Sequence, residues 1–160
     1  MNAAGLLVLR LVAGGFIARW GFPKIRDADG TFAKEFEGFG FHPGKLFARR
    51  AGSVETTAGA LIVVGALGPT GPMLLLADML VAAASVTVKK KRFNFDDHED
   101  QLLYGSIALL LALSGPGEFS LDRVLGITFF DRPWLRYLSL GAALAGATLM
   151  FSTRTPDVSP

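Results

Sequence analysis

Two ionisable side chains interrupt apolar segments of the chain. Asp78 lies in "LLLADMLVAA" (residues 74–83), and Arg10 lies in the middle of the apolar segment 3–18. Counted along helices that enter a membrane from the same face, both side chains lie about 10 Å below that face. An unpaired charge at this depth costs about 3 kcal/mol or more. The sequence therefore predicts an Arg10–Asp78 ion pair, with extension of Arg10 to the headgroups as the alternative.

A second group of polar side chains is expected at the opposite face, where it forms the candidate site: Arg19, Trp20, Lys24, Glu55, His98 and Glu99. Glu55 lies about one turn inside its segment, so it is either a structural counter-ion of Arg19 or Lys24 or a proton-handling group. His98 lies in the acidic run "DDHED". It is interpreted as a solvated loop residue rather than a ligand, and no metal site is predicted.

The elements that position these residues follow from hydropathy. The chain has 160 residues, of which 51% are hydrophobic, and its mean hydropathy is +0.41. Apolar segments recur at 3–18, 51–67, 73–88, 102–114 and 134–151. A membrane-spanning helix needs roughly 20 residues. The sequence therefore predicts one integral membrane domain over 1–160, an all-α, polytopic four-helix bundle with an extra C-terminal fifth helix; a soluble bundle with very apolar helices is the alternative.

The connections between these segments carry their own signals. In "GALGPTGP" (65–72), Pro69 and Pro72 interrupt the helical pattern, which predicts a tight hairpin between antiparallel second and third spans. Loop 1 (27–50) has phenylalanines at helical spacing: Phe32, Phe36 and Phe39. We expect a short helix there that lies in the membrane interface, caps the mouth of the bundle, or does both.

Charge distribution predicts the orientation. Twelve of the 16 Lys and Arg residues lie in loop 1, loop 3 and the C-terminal tail, and three lie on the opposite face. Loops 1 and 3 are therefore expected in the cytoplasm and the N-terminus outside, with segment 3–18 kept as an uncleaved span. The basic excess fits anionic lipid headgroups rather than nucleic acid. Without cysteine, the chain has no thiol chemistry of its own.

Several segments resemble the DoxX family of small bacterial membrane proteins. They are "LRLVAGGFIARWGFPKI" (9–25), "GSVETTAGALIVVGALG" (52–68), "LLLADMLVAA" (74–83) and "LLLALSGPGEFSLD" (109–122). The resemblance covers a core of about 5–122, and its most specific element is the ending "GPGEFSLD". Pro116 ends the fourth span there, and Ser120 and Asp122 can bond freed backbone groups.

The resemblance implies a bacterial cytoplasmic-membrane protein that is a subunit or anchor of a redox-associated complex, with redox enzyme subunits as partners and quinone as a possible ligand. It implies no enzyme activity of the chain on its own, only an accessory part in a quinone-linked oxidoreductase. Six residues fall where many members carry similar types: Arg10, Gly21, Lys24, Glu55, Asp78 and Glu99. Trp20 and Thr87 stand where many members have His, which puts histidine-based proton or quinone chemistry in doubt.

Two further interpretations remain open. The polar cluster beneath an apolar bundle also suits a membrane binding or transport protein for a small lipophilic molecule. In the extra helix, about 134–151, Gly141 with Ala145 and Ala142 with Gly146 form small-residue pairs. These pairs either promote packing and homo-oligomer formation or are ordinary residues of an apolar helix.

Overall fold

The computed structural model describes residues 2–26 and 30–155, so residues 27–29 at the start of loop 1 lie outside it. The regular structure in these two ranges is entirely helical. A 3-10 turn, Phe129–Asp131, precedes the last helix. The α-helices are α1 (Ala3–Arg26), α2 (Thr31–Gly38), α3 (Gly44–Val64), α4 (Thr70–Lys90), α5 (Glu99–Ser114), α6 (Leu121–Val124) and α7 (Pro133–Ser152). The prediction of an all-α fold is confirmed.

Four of these helices form a ring, because α1 contacts α3, α3 contacts α4, α4 contacts α5, and α5 closes back on α1. Their inward side chains form one apolar core: Leu6, Ile17, Ala58, Ile62, Leu75, Met79, Ala108 and Leu111. Helix α7 packs outside the ring against α4. The predicted four-helix bundle with an extra C-terminal helix is therefore confirmed.

The outer surface of the bundle is apolar. Helices α1, α4 and α7 are long and apolar enough to cross a membrane. α3 has charged residues at both its start and its centre, and α5 has only 16 residues. Large apolar side chains such as Val12, Phe16 and Leu149 are more than half exposed. Such a surface suits contact with lipid and not with water, so the soluble alternative is disfavoured.

Helices α1 and α3 approach each other closely at two pairs of glycines. A Cβ atom added to Gly59 would lie 2.5 Å from the Gly14 carbonyl oxygen, and one added to Gly21 would lie 2.5 Å from the Gly52 carbonyl oxygen. Only hydrogen at these positions permits the two backbones to touch. This contact brings the C-terminal part of α1 beside the middle of α3.

The end of the bundle that carries the α3–α4 turn is called the turn end, and the opposite end is called the α2 end. Helix α4 begins at Thr70, earlier than the predicted start near Met73. Pro72 therefore lies in the first turn of α4, where a missing amide hydrogen costs little. The predicted hairpin is present, but it is shorter than 65–72.

Arg10 is buried at the turn end, where it binds backbone oxygens. Its guanidinium donates to the carbonyls of Ile62 at 2.9 Å, Val63 at 3.0 Å, Pro116 at 2.6 Å and Phe119 at 2.9 Å. The predicted Arg10–Asp78 ion pair is therefore wrong, and Arg10 does not extend to headgroups. The last carbonyls of α3 lack helical partners, so they accept the arginine instead.

The segment "GPGEFSLD" completes the turn end. The Asp122 carboxylate accepts hydrogen bonds from the Leu67 amide at 3.0 Å and the Gly68 amide at 2.7 Å. Ser120 Oγ donates to the Gly117 carbonyl at 2.6 Å. As predicted, Ser120 and Asp122 bond backbone groups, but the groups that Asp122 binds belong to the α3–α4 turn.

Candidate functional site

The centre of the candidate site is an ion pair between Lys24 and Glu55. The Lys24 Nζ atom, near the end of α1, lies against Glu55 Oε1 on α3. Glu55 is only 3% exposed. Because α3 begins at Gly44 and not near residue 51, Glu55 lies at the middle of its helix instead of one turn inside it. Of its two oxygens, Oε2 has no hydrogen-bond partner among the described residues.

Asp78 joins this ion pair from α4. Its carboxyl group lines the same cavity as Glu55 and Lys24, and it lies close enough to both side chains to interact with their charges. The apolar segments of the sequence predict Asp78 and Glu55 at opposite faces, because the limits of those segments define the depth of each residue. In the structure both side chains lie near the middle of 21-residue antiparallel helices.

A cavity of about 250 Å³ opens beside these three side chains towards the α2 end. It is called the polar cavity, because the three charged side chains line it. Trp20 contributes to its wall and contacts Tyr104 edge to face, with ring centroids 5.0 Å apart. Phe36 of α2 and Phe39, the residue that follows α2, also line it. Helix α2 thus caps the mouth of the bundle, one of the two positions expected for the loop 1 helix.

The structure brings together only three of the six predicted site residues, Trp20, Lys24 and Glu55. Arg19 and Glu99 are exposed and do not line the cavity. Residues that the prediction did not include in the site do line it: Asp78, Asp100 and Gln101. Asp78 is evident in the sequence as a charge in an apolar segment, but its neighbours depend on the residue at which α4 begins.

His98 lies apart from the cavity, and its interpretation as a solvated residue is wrong. It is fully buried. Its Nδ1 atom lies 2.7 Å from the Asn94 carbonyl oxygen, which only accepts, so Nδ1 carries hydrogen. Its Nε2 atom lies 2.9 Å from Thr87 Oγ1. Phe93 packs against the ring. His98 therefore connects the end of α4 to the start of α5.

The loop before α5 carries a separate ion pair. Lys90 binds Asp97, and this hydrogen bond lowers the pKa of the Asp97 carboxyl below its ordinary value. The described residues contain no group of three His, Cys, Asp or Glu side chains that could hold a metal ion. The Lys90–Asp97 ion pair joins the end of α4 to the loop before α5.

A second, larger cavity of about 550 Å³ lies between α3, α4 and α7. Its lining is mostly apolar, and it is called the apolar cavity. Five of its residues also line the polar cavity: Phe36, Phe41, Ala51, Asp78 and Val81. On α7 it is bordered by Gly146, Ala147 and Met150. The two cavities are thus neighbours, and the Asp78 carboxyl lies at their junction.

The small residues of α7 divide between two surfaces. Ala143 and Ala147 are buried in the bundle, whereas Gly141, Ala142 and Ala145 are exposed. Gly146 is also exposed, and it borders the apolar cavity. The two predicted small-residue pairs therefore do not pack within the described part of the chain.

Comparison with known proteins identifies one family. The DoxX family model matches residues 5–88, more than half of the chain. This segment includes Lys24, Glu55 and Asp78, whereas the expected resemblance extended to residue 122. Searches of curated proteins and of solved structures found no significant match. The match and the apolar helices together show that the chain is a membrane protein that belongs to the DoxX family.

Proposed function

We propose that this protein binds a small lipophilic molecule inside the membrane, with the polar head of the molecule at Lys24, Glu55 and Asp78. The observation that carries the proposal is the junction at Asp78, where a polar cavity of about 250 Å³ meets an apolar one of about 550 Å³. Ligand sites in proteins are commonly about 300–1,000 Å³, mostly apolar, with few polar groups that orient the ligand. The arrangement therefore suits an amphiphile.

The apolar cavity lies at the surface of the helix pair α3–α4, beside α7. Its position supports lateral entry of the ligand from the bilayer, because the outer surfaces of these helices are apolar. The polar cavity lies further inside, under α2. Intramembrane ionisable residues usually face a cavity or each other, and here they do both.

A second candidate function is that of a membrane subunit or anchor of a redox-associated complex, with redox enzyme subunits as partners. Membership of the DoxX family favours it, because the resemblance to this family implies a redox-associated role. A quinone is a lipophile with a polar head, so this function and ligand binding are compatible. The chain has no cysteine. Any such redox role would therefore depend on the ligand or partner and not on thiols of this chain.

We propose that the protein lies in a bacterial cytoplasmic membrane with the α2 end in the cytoplasm; the distribution of basic residues supports this orientation. Loop 1, loop 3 and the tail meet at this end in the structure: Lys89 lies over the Phe39 ring, and the Arg154 side chain donates to the Phe39 carbonyl. Basic residues concentrate on the cytoplasmic side of membrane proteins.

The ligand proposal is tested by a side chain that fills the apolar cavity. Gly146 borders this cavity, and a Cβ atom there would meet no other atom within 4 Å. Gly146→Leu should therefore be tolerated by the fold and should reduce the amount of retained lipophile at least about threefold. The measurement is native mass spectrometry of the protein purified in mild detergent, followed by identification of the released lipids.

Gly141→Leu is the matched control. It lies on the same helix, also has no atom within 4 Å of an added Cβ, and does not border the cavity. Both changes gain the same helix propensity. Equal retention of lipophile in the two variants would contradict the proposal. Redox enzyme subunits recovered with both variants would support the second candidate.

A further inference from the structure

We propose that the ligand carries a single positive charge and is a lipophilic ammonium compound, whose head binds at Glu55 and Asp78 and whose tail lies in the apolar cavity. This inference rests on the proposed function, because it names the class of the ligand at the same site. Three independent features of the site support it: the balance of charge, the balance of hydrogen-bond donors and acceptors, and the aromatic wall.

The charges of the site do not balance. Glu55 and Asp78 bring two carboxyl groups, and Lys24 brings one ammonium group. Four other charged side chains border the two cavities, namely Glu35, Asp100, Arg49 and Arg50, but they are exposed and their formal charges cancel. One positive charge is thus missing. In a medium of low polarity an unbalanced charge is costly, so a monovalent cation is favoured there.

The hydrogen-bond donors and acceptors of the site do not balance either, because acceptors are in excess. Glu55 Oε2 and Gln101 Oε1 are buried acceptors without partners among the described residues, and both side chains line the polar cavity. The Lys24 ammonium is engaged by Glu55 Oε1. A ligand head that donates several hydrogen bonds would satisfy these oxygens, and an alkylammonium group donates up to three.

An exchange of cations keeps the site neutral. Without a ligand, one proton on either the Glu55 or the Asp78 carboxyl group supplies the positive charge that Lys24 alone does not. An ammonium head that donates to both carboxylates replaces this proton, which leaves through the polar cavity to water. Charge is conserved in this exchange, because one monovalent cation enters and one proton departs.

Aromatic rings complete the site. Trp20 and the phenylalanines Phe36, Phe39 and Phe41 line the polar cavity. The edge contact with Tyr104 holds the Trp20 ring in place. The faces of aromatic rings attract cations, and tryptophan does so most strongly. A polar cavity with two carboxyl groups and an aromatic wall therefore favours a cationic head over a neutral or anionic one.

The test compares three probes with the same ten-carbon tail: decylammonium, decanol and decanoate. Binding is measured by native mass spectrometry and by thermal stabilisation, in nanodiscs of zwitterionic phosphatidylcholine at neutral pH, with empty nanodiscs as the blank. Decylammonium should bind at least about tenfold more tightly than decanol, which corresponds to about 1.4 kcal/mol. Decanoate should bind most weakly, because it adds a third carboxylate.

Asp78→Asn removes the excess negative charge and should reduce the preference for decylammonium over decanol to about threefold or less. Glu99→Gln is the matched control, because Glu99 is an exposed carboxylate outside the cavity; it should keep the full preference. The three probes also test the unmodified protein, so the inference does not depend on whether the variant folds.

Two outcomes overturn the inference in different ways. Decanol that binds as tightly as decylammonium would refute a cationic ligand and leave the proposed binding of lipophiles intact. If none of the three probes binds and no lipophile is retained on purification, the proposed function fails as well. A preference for decylammonium that Asp78→Asn does not change would place the cation elsewhere and would also refute the inference.

Discussion

Arg10 shows how one charged residue can be buried in a membrane bundle without an acidic partner in direct contact. Its guanidinium binds four backbone carbonyls, two at the end of α3 and two in the segment that follows α5. Asp122 is near enough to attract it. The arginine therefore joins three parts of the chain at the turn end, and its role is structural.

At the residue scale we predict that Arg10→Met lowers the free energy of unfolding by about 3 kcal/mol or more, because it leaves buried carbonyls without donors. The double variant with Asp78→Asn should lose the sum of the two single losses within about 0.5 kcal/mol, since the two side chains share no partner. Unfolding in mixed micelles measures these values. Arg19→Met, an exposed control, should change the free energy of unfolding little. A double variant that is clearly more stable than the sum of the single losses predicts would support an Arg10–Asp78 ion pair instead.

At the element scale, the position of Lys24 depends on how closely α1 packs against α3. The glycine pairs Gly14–Gly59 and Gly21–Gly52 are seven residues apart on each helix, so they lie on one face. Close backbone contact at both pairs places Lys24 beside Glu55. This contact was not among the features predicted from the sequence, although the equal spacing of the glycines was a usable signal.

We predict that Gly59→Ala lowers the free energy of unfolding by about 1–3 kcal/mol, because the new methyl group would meet the backbone of α1 at Gly14 and Ala18. Gly15→Ala should be neutral or slightly stabilising, because an added Cβ there meets no atom within 4 Å. Thermal unfolding of both variants in detergent distinguishes the effects. Equal melting temperatures would contradict the close α1–α3 contact.

At the scale of the whole molecule, the two ends of the bundle differ in charge. The α2 end collects loop 1, loop 3 and the tail, with twelve Lys and Arg residues, whereas the turn end has three apart from the buried Arg10. Such a difference determines orientation in the membrane. It also places the mouth of the polar cavity on the side expected to face the cytoplasm.

We predict that a reporter inserted after Lys91 is cytoplasmic and that one inserted at Thr70 is external. These positions mark the two ends of α4, so they lie on opposite faces of the membrane. Paired alkaline phosphatase and fluorescent-protein fusions give the measurement, and each serves as the control for the other. The opposite pattern would reverse the orientation and place the polar cavity towards the outside.

The sequence by itself determined the class of the protein. Five apolar segments, their hairpin signals and the family resemblance were sufficient to predict an all-α membrane bundle with an extra helix. These features are local, because each helix in lipid must satisfy the hydrogen bonds of its own backbone. The ends of the helices did not follow from hydropathy, since a helix such as α3 begins before its apolar segment.

Only the tertiary structure decided which charges meet. An apolar helix pattern gives no partner for Asp78, and a shift of a few residues in the start of α3 or α4 changes depth by about 5–10 Å. Because of that shift, the neighbours of Asp78 are Glu55 and Lys24 instead of Arg10. The burial of His98 and the exposure of Arg19 and Glu99 likewise depend on which helix faces meet, because neighbouring residues on a helix point in different directions.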